Sequence, residues 1–281
     1  MRQVFRQLPW IHPQIDPRIQ QFFNQYGRYL RLKQGASIFN GGDAGEIALV
    51  LCGLGVFSFP DKHLKNHYLS LIPPGSLMGD VDGLTHESVN VYDSAFRDSE
   101  VRLIKRDIFR DFLIQNPELL HAHTLSVIAH HESCMEALIA NSTLTLPDRL
   151  QVLYASLAAS FGKTTEKKSF VSIPLTLTAV ELSAFVNASR QSVSSVHTEI
   201  ESNGDIVRKK GETQLSKKFI ALAVLLGRLS RAGAAVVPLI AGAAACTITA
   251  IVLAALGGLA VLHRGRNGLG RNGGGCSCLL G

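Results

Sequence analysis

Apolar positions at helical spacing open the chain. Ile15, Ile19, Phe22 and Phe23, between Pro13 and Gly27, predict a short amphipathic helix over about 14–26. From Tyr29 to about Val101 the period shortens. Ile38-Phe39 precedes Gly41-Gly42-Asp43, Ile47 to Leu51 precedes Cys52-Gly53, Val56 to Phe59 precedes Pro60-Asp61, and Tyr68 to Ile72 precedes Pro73-Pro74-Gly75. Short apolar runs with such punctuation predict a β-sandwich or barrel. Helical texture starts near Arg106, where Ile108, Phe109, Phe112 and Leu113 form a stripe stopped by Asn116-Pro117. A longer helix follows from about Pro117 to Asn141, with Pro117 at a first helical position. Its Leu125, Ile128, Met135 and Ile139 recur in one stripe, with Glu132 filling the missing step. That periodicity serves a dimer seam and packing on the chain's own barrel equally well.

Beyond it, Pro147 to Ala159 reads as a helix with Leu150, Leu153, Tyr154 and Leu157 apolar. Lys163 to Lys168 is a polar connector and Phe170 to Leu175 a short strand. Thr178 with Glu181 three residues on forms a capping box. Leu182, Phe185 and Val186 give the helix it opens a buried face. Asn187 suits a left-handed helix exit, and Ser189 suits the N-cap of a second helix with Val193, Val196 and Ile200 buried. Two short helices around a tight polar turn match a DNA-reading helix-turn-helix, and also an ordinary solvated two-helix corner.

The outward face of the second helix begins with Arg190 and Gln191 and continues with Ser194, Ser195 and Thr198. Such side chains suit base edges and phosphates. After Asn203-Gly204-Asp205, Ile206-Val207 and the basic turn Arg208-Lys209-Lys210-Gly211 read as the wing of a winged helix, its tip near phosphates. Thr178, Ser189, Arg190, Gln191, Ser194, Ser195, Thr198, Lys209 and Lys210 are the candidate DNA-binding residues.

Composition narrows the classes. Of 281 residues, 46% are hydrophobic and 18% charged, which excludes a disordered chain. The net charge of +6 suits an anionic partner but is carried by many proteins that have none. Cys52, Cys134, Cys246, Cys276 and Cys278 are an odd, scattered set and predict reduced thiols in a cytoplasmic setting, not a disulfide framework. No nucleophile elbow, phosphate loop or metal-ligand helix appears, so no enzyme, cofactor or metal is expected. His130 and His131 are adjacent on a helix and cannot both face one metal. The N-terminal residues lack the apolar core of a secretory signal.

The C-terminal stretch has another character. Ala232 to Leu262 carries no charge over more residues than a bilayer needs, flanked by Lys217, Lys218, Arg228 and Arg231 before and His263, Arg264, Arg266 and Arg271 after. A membrane anchor, an aberrant out-of-frame C-terminus and a soluble packed helix all remain open. Gly268 to Gly275 reads as a flexible end.

Over about residues 28–212 this order of parts resembles the Crp/Fnr family of bacterial regulators. Gly35, Ile38-Phe39, Gly41-Gly42-Asp43, Ile47 to Val50, Gly53, Val56 and Gly75 look like its cyclic-nucleotide-binding-type barrel. Ser99 to Phe109 looks like the last strand and the short helix after it, Asn116-Pro117 like the start of the long dimer helix, and Glu181 to Val193 like the recognition unit. The resemblance implies an α+β protein: an N-terminal β jelly-roll barrel over 1–115, a dimerisation helix over 116–143 and a winged helix-turn-helix over 144–214. It stops there, and composition alone gives the apolar helical tail over 215–281 with a candidate membrane span at 232–262. The resemblance also implies a cytoplasmic homodimer on double-stranded DNA, with RNA polymerase a further partner, in which a signal on the barrel repositions two recognition helices. Inner-membrane anchoring through the tail would modify that localisation. A membrane-associated cyclic-nucleotide-binding-like sensor without DNA binding is the alternative, and it leaves residues 178–211 unexplained.

Two departures bear on the effector. Cyclic-AMP-binding members carry a Gly-Glu pair for the ribose and an arginine pair for the phosphate, where this chain has Gly79-Asp80 and Val89-Asn90. A buried cyclic phosphate without its arginine loses a charge-assisted bidentate contact, so cyclic AMP is not expected as effector. Iron-sulfur members use an N-terminal cysteine cluster, and residues 1–51 contain no cysteine. Family members resembling the catabolite activator usually have glutamate where Gln191 stands and arginine where Ser195 stands, so a different DNA site is expected.

Overall fold

A computed structural model describes residues 4–5, 7–42, 45–80, 89–165, 169–209 and 211–221. The chain is α+β, with antiparallel sheets. Asp16 caps helix α1 (Pro17–Tyr26), accepting from the Arg18 N–H, and Ile19 and Phe23 form its buried face. Eight strands follow: β1 (Arg28–Leu32), β2 (Ser37–Gly42), β3 (Glu46–Cys52), β4 (Gly55–Pro60), β5 (Asn66–Ile72), β6 (Leu77–Met78), β7 (Val89–Ala95) and β8 (Ser99–Lys105). They form two four-stranded sheets, ordered β1-β8-β3-β6 and β2-β7-β4-β5.

Strand β3 shows why its sequence reads as an unbroken apolar run. Successive side chains alternate between faces, and both faces are covered. Ala48 and Val50 meet Ile72, Met78, Ala95, Val101 and Leu103 in one cluster. Ile47 and Leu49 meet Ile19, Phe23, Phe109 and Leu113 in another. Phe109 and Leu113 belong to helix α2 (Arg106–Gln115), so α1 and α2 close the outer face of this sheet.

Helix α3 (Pro117–Thr143) leaves α2 at Asn116. Its buried positions include Leu119, His123, His130, Ser133, Ala137 and Ala140. Leu125 and Ile128 of the predicted stripe are exposed, and Met135 and Ile139 half-buried. The apolar stripe therefore faces away from the chain's own barrel, and the face packed inward is largely polar or small.

Helix α4 (Leu146–Phe161) leads to β9 (Lys163–Thr164), so the polar connector begins as a strand. β10 (Phe170–Ile173), β11 (Ile206–Lys209) and β12 (Glu212–Ser216) complete a third sheet in the order β11-β12-β10-β9. Position 214, the expected edge of the winged domain, falls inside β12, where Gln214 opposes Val207 and Leu215 opposes Ile206. A helical turn at 217–221 places Phe219 in the core, and its carbonyl accepts from Gln151 Nε2 at 2.7 Å. Helix α4 packs directly on β10; helix α5 (Ala179–Phe185) packs on α6 (Arg190–Ser202) and on β5 of the barrel, and α6 packs on α4 and β11. The span 232–262 lies outside the described residues, and among those described no helix is long and apolar enough to cross a membrane.

Gly53 tests the barrel turn. Its φ of +86° is left-handed, and a Cβ there would lie 2.3 Å from the Asp98 carbonyl oxygen and 2.7 Å from Ser99 Cα. Gly204 has a similar φ of +75° with open space around it. Gly204→Ala should cost about 1–2 kcal/mol, the left-handed penalty alone. Gly53→Ala should cost clearly more, since backbone must move too. Urea midpoints of the two variants provide the comparison, and equal losses would refute the clash.

Candidate nucleic-acid interface and its coupling to the barrel

The capping chemistry of the two short helices is built as their sequence dictates. Thr178 accepts from the Glu181 N–H at 3.2 Å, and the Glu181 carboxylate accepts from the Thr178 N–H at 2.8 Å. Asn187 takes a φ of +47°, the left-handed exit between the helices. Ser189 Oγ accepts from the Ser192 N–H at 3.1 Å, which leaves the first N–H groups of α6 and its positive end directed outward. Val193 and Ile200 hold α6 to the core.

Thr178, Ser189, Arg190, Gln191, Ser194, Ser195 and Thr198 are all exposed, as is Lys209 at the end of β11; Lys210 lies outside the described residues. Arg190, Gln191, Ser194, Ser195 and Thr198 share one face of α6, spaced by four residues. Their roles differ. The Ser189 hydroxyl is engaged by its cap, and Thr198 Oγ1 donates to the Ser194 carbonyl at 2.9 Å. Arg190, Gln191 and Ser195 make no side-chain hydrogen bond among the described residues. Arg208, a basic residue of the wing strand, is taken: its Nε and Nη2 donate to Glu201 at 2.5 and 3.0 Å. Glu201 also lies 3.5 Å from His197 Nδ1, and His197 Nε2 meets the Tyr154 hydroxyl at 2.7 Å. This chain of contacts ties α4, α6 and the wing together. Burial holds the His197 imidazole below its usual range and pushes the Tyr154 hydroxyl up.

The turn of this unit is fastened from outside. The Phe185 carbonyl accepts from Trp10 Nε1 at 3.1 Å and from Asn141 Nδ2 at 3.0 Å. The Val186 carbonyl accepts from Arg149 Nη1 at 3.0 Å, and the Ala188 carbonyl from Lys65 Nζ at 3.4 Å. Arg97, on the β7–β8 turn, donates to both Glu181 carboxylate oxygens at 2.6 and 3.2 Å and to the Thr176 carbonyl at 3.0 Å. Tyr68 and Phe96 of the barrel contact the Phe185 ring edge-on. Trp10 is fully buried at a φ of +61°. The donors Trp10, Lys65, Arg97, Asn141 and Arg149 carried no such role in the sequence. The sole tryptophan, set between Pro9 and Pro13, was the available signal for the strap.

At the candidate effector position, Gly79 has a φ of +78° and its N–H donates to Asp93 Oδ2 at 2.6 Å. Asp80 is buried. Val89 and Asn90 lie on β7, Val89 opposite Gly42; the side chains of Val89 and Asn90 lie outside the described residues. The structure adds His12, His123 and His130 near this region, with Asp80 acting electrostatically on His12 and His123. Among the described residues no set of three His, Cys, Asp or Glu is placed to hold a metal, and Cys52 and Cys134 are free thiols.

Solved CRP/FNR-family transcriptional regulators share this fold. One from Thermus thermophilus is 21% identical, covering 70% of this chain and 97% of its own, at a TM-score of 0.56. The c-di-GMP-responsive global regulator CLP of Xanthomonas campestris is 17% identical over 72% and 99%, at 0.59. A mutant of CooA from Carboxydothermus hydrogenoformans is 15% identical over 77% and 99%, at 0.61. No family model matches the chain, and no curated protein does either.

The Arg97–Glu181 pair is testable alone. It is bidentate, with Glu181 only 13% exposed, and charge-assisted hydrogen bonds of this kind contribute about 1.5–3 kcal/mol. A double-mutant cycle with Arg97→Met and Glu181→Gln should show coupling above about 1 kcal/mol in chemical denaturation. Additive losses would mean that the pair is not a fastening.

Proposed function

We propose that the chain is a sequence-specific DNA-binding transcription regulator that acts as a homodimer and passes a signal from its barrel to its helix-turn-helix. The observation that carries this reading is the exposed face of α6, where Arg190, Gln191 and Ser195 stand unengaged beside a capped helix N-terminus. The first turn of such a helix enters the major groove, where Gln191 pairs with adenine in two-point fashion and Arg190 reaches guanine or phosphate. Lys209 on the wing lies near backbone phosphates. A membrane-associated sensor without DNA binding would leave this face without use.

The outward stripe of α3 supports the dimer. Leu125 and Ile128, 52% and 42% exposed, lie with Met135 and Ile139 along the helix at spacings of about three, seven and four. A second copy of the same helix supplies the matching surface, as closed two-fold symmetry requires. Cyclic AMP is not proposed as effector, because Val89-Asn90 lacks the arginine a cyclic phosphate needs.

Binding of variants to a randomised DNA library at two salt concentrations tests the reading. Gln191→Ala should relax preference at one base pair per half-site, a loss of about 1–3 kcal/mol in discrimination. Lys209→Ala should weaken all sequences evenly and flatten the salt dependence. A uniform loss in Gln191→Ala with base preference intact would remove the recognition assignment.

The dimer has its own measurement. Ile128→Glu with Met135→Glu should shift sedimentation from dimer to monomer without altering the secondary structure seen by circular dichroism. A protein that is monomeric before the change refutes the seam.

A further inference from the structure

The inward face of α3 is polar where packed helix faces are normally apolar. His123, Ser126, His130 and Ser133 occupy it between Leu119 and Ala137. His12, on the N-terminal segment, stacks on His130 with ring centroids 3.9 Å apart. The three imidazoles are 1–5% exposed. Their hydrogen bonding is sparse. His12 Nδ1 donates to the Pro13 carbonyl at 2.8 Å, and His130 Nε2 shares a contact of 3.0 Å with Ser70 Oγ of β5. His123 sits edge-on to Phe109 at 5.3 Å, and among the described residues neither of its ring nitrogens has a hydrogen-bond partner.

We propose that His12, His123 and His130 form a proton-responsive joint between α3 and the N-terminal segment, and that proton uptake there releases Trp10 from the helix-turn-helix. An imidazolium has two N–H donors, and a buried one needs an acceptor for each. Among the described residues His123 has none in place. A charge on His130 lies against the His12 ring, so the two cannot both be charged within the closed seam. Hydration of the charges requires the seam to open, and His12 is two residues from Trp10 on a segment held to both α3 and β5. On α3, Ser133 Oγ accepts from the Ile11 N–H at 3.1 Å and Glu136 from the Phe5 N–H at 2.6 Å. On β5, the Leu71 N–H donates to the Trp10 carbonyl and the Leu71 carbonyl accepts from the His12 N–H, each at 2.8 Å, so release of Trp10 breaks these bonds as well.

The titratable groups facing the three rings fix the sign. Burial holds all three below the usual range. Asp80 pulls His12 and His123 back up, His12 pushes His123 and His130 further down, and His131 also lowers His130. Cys134 stays a neutral thiol, pushed up to about 12 by burial with Asp93 adding to the shift. A histidine whose folded value is depressed leaves the closed state fully favoured above about pH 6.5. As pH falls below that, the opening equilibrium rises by up to about tenfold per pH unit for each ring, until the folded value is reached.

Because the chain has one tryptophan, Trp10 emission reads this joint directly and without DNA. Lowering the pH of the full chain from about 8 to about 5 should red-shift that emission cooperatively below about pH 6.5. The shift should be lost in H12Q/H123Q/H130Q, move to higher pH in Asp80→Asn, which removes the carboxylate that favours charge in the closed seam, and persist in His197→Gln. Proton NMR of the unaltered chain covers the case of a triple variant that does not fold: three histidine ring signals should titrate below the usual range, in step with Trp10. Unchanged emission across the range, a shift that survives in the triple variant, or one lost only in His197→Gln would each overturn the joint. The consequence for DNA affinity rests on the proposed function. If DNA binding fails while the Trp10 transition stands, it is that function and not the joint that falls.

Discussion

The carbonyl oxygen of Phe185 accepts two hydrogen bonds from distant parts of the chain, the indole of Trp10 and the amide of Asn141. It closes the C-terminal end of α5, where backbone carbonyls have no helical partner and the helix dipole is negative. The neighbouring Val186 and Ala188 carbonyls take their donors from Arg149 and Lys65. A turn between two short helices is thus held by a barrel hairpin, a long helix, a following helix and an N-terminal strap. These donors fasten the turn that precedes α6, whose own Val193 and Ile200 join the apolar cluster shared with the barrel. Burial adds to the hold. One continuous apolar cluster runs from Trp10, Leu71 and Phe96 through Phe185 to Leu215 and Phe219.

That arrangement explains why α3 is built inside out. A helix that served only the core would turn Leu125, Ile128 and Met135 inward. Here the inward positions are His123, His130 and Ser133, and the apolar stripe faces outward. Polar groups in a packed seam cost stability unless each finds a partner, so the seam is weaker than a leucine seam. It is also easier to shift by chemistry that changes a partner's charge or hydrogen bonding.

What the sequence revealed follows from the range of the interactions. The capping box of Thr178 and Glu181, the Ser189 cap and the left-handed Asn187 are contacts within four residues, and their chemistry is legible without a fold. The continuous apolar run of β3 was legible as a strand, but its two-sided burial required knowing that α1 and α2 cover one sheet. The period of α3 gave its stripe and not the direction that stripe faces, since an apolar stripe and its complement of histidines are equally periodic. Trp10, Arg97, Asn141 and Arg149 were silent because each acts across a sequence separation that only the tertiary fold closes. The end of the wing was obscured by composition: Leu215 and Phe219 belong to the winged domain's core, yet they adjoin an apolar stretch of another character.

The wing shows how a count of basic residues misleads about a nucleic-acid surface. Arg208, Lys209 and Lys210 form one basic run in the sequence, yet Arg208 is held in a fork by Glu201, which also faces His197. A guanidinium paired in this way gains little from a phosphate, because leaving Glu201 would uncover a partly buried carboxylate. Its role is to fix the wing strand against α6. On the proposed reading, the cationic role of the wing falls to the lysines that follow in the sequence, whose point charges suit phosphates of any sequence. On the same reading, base discrimination is left to the short polar face of α6, where Arg190 and Gln191 stand over a capped helix end and, among the described residues, have no side-chain hydrogen bond to give up.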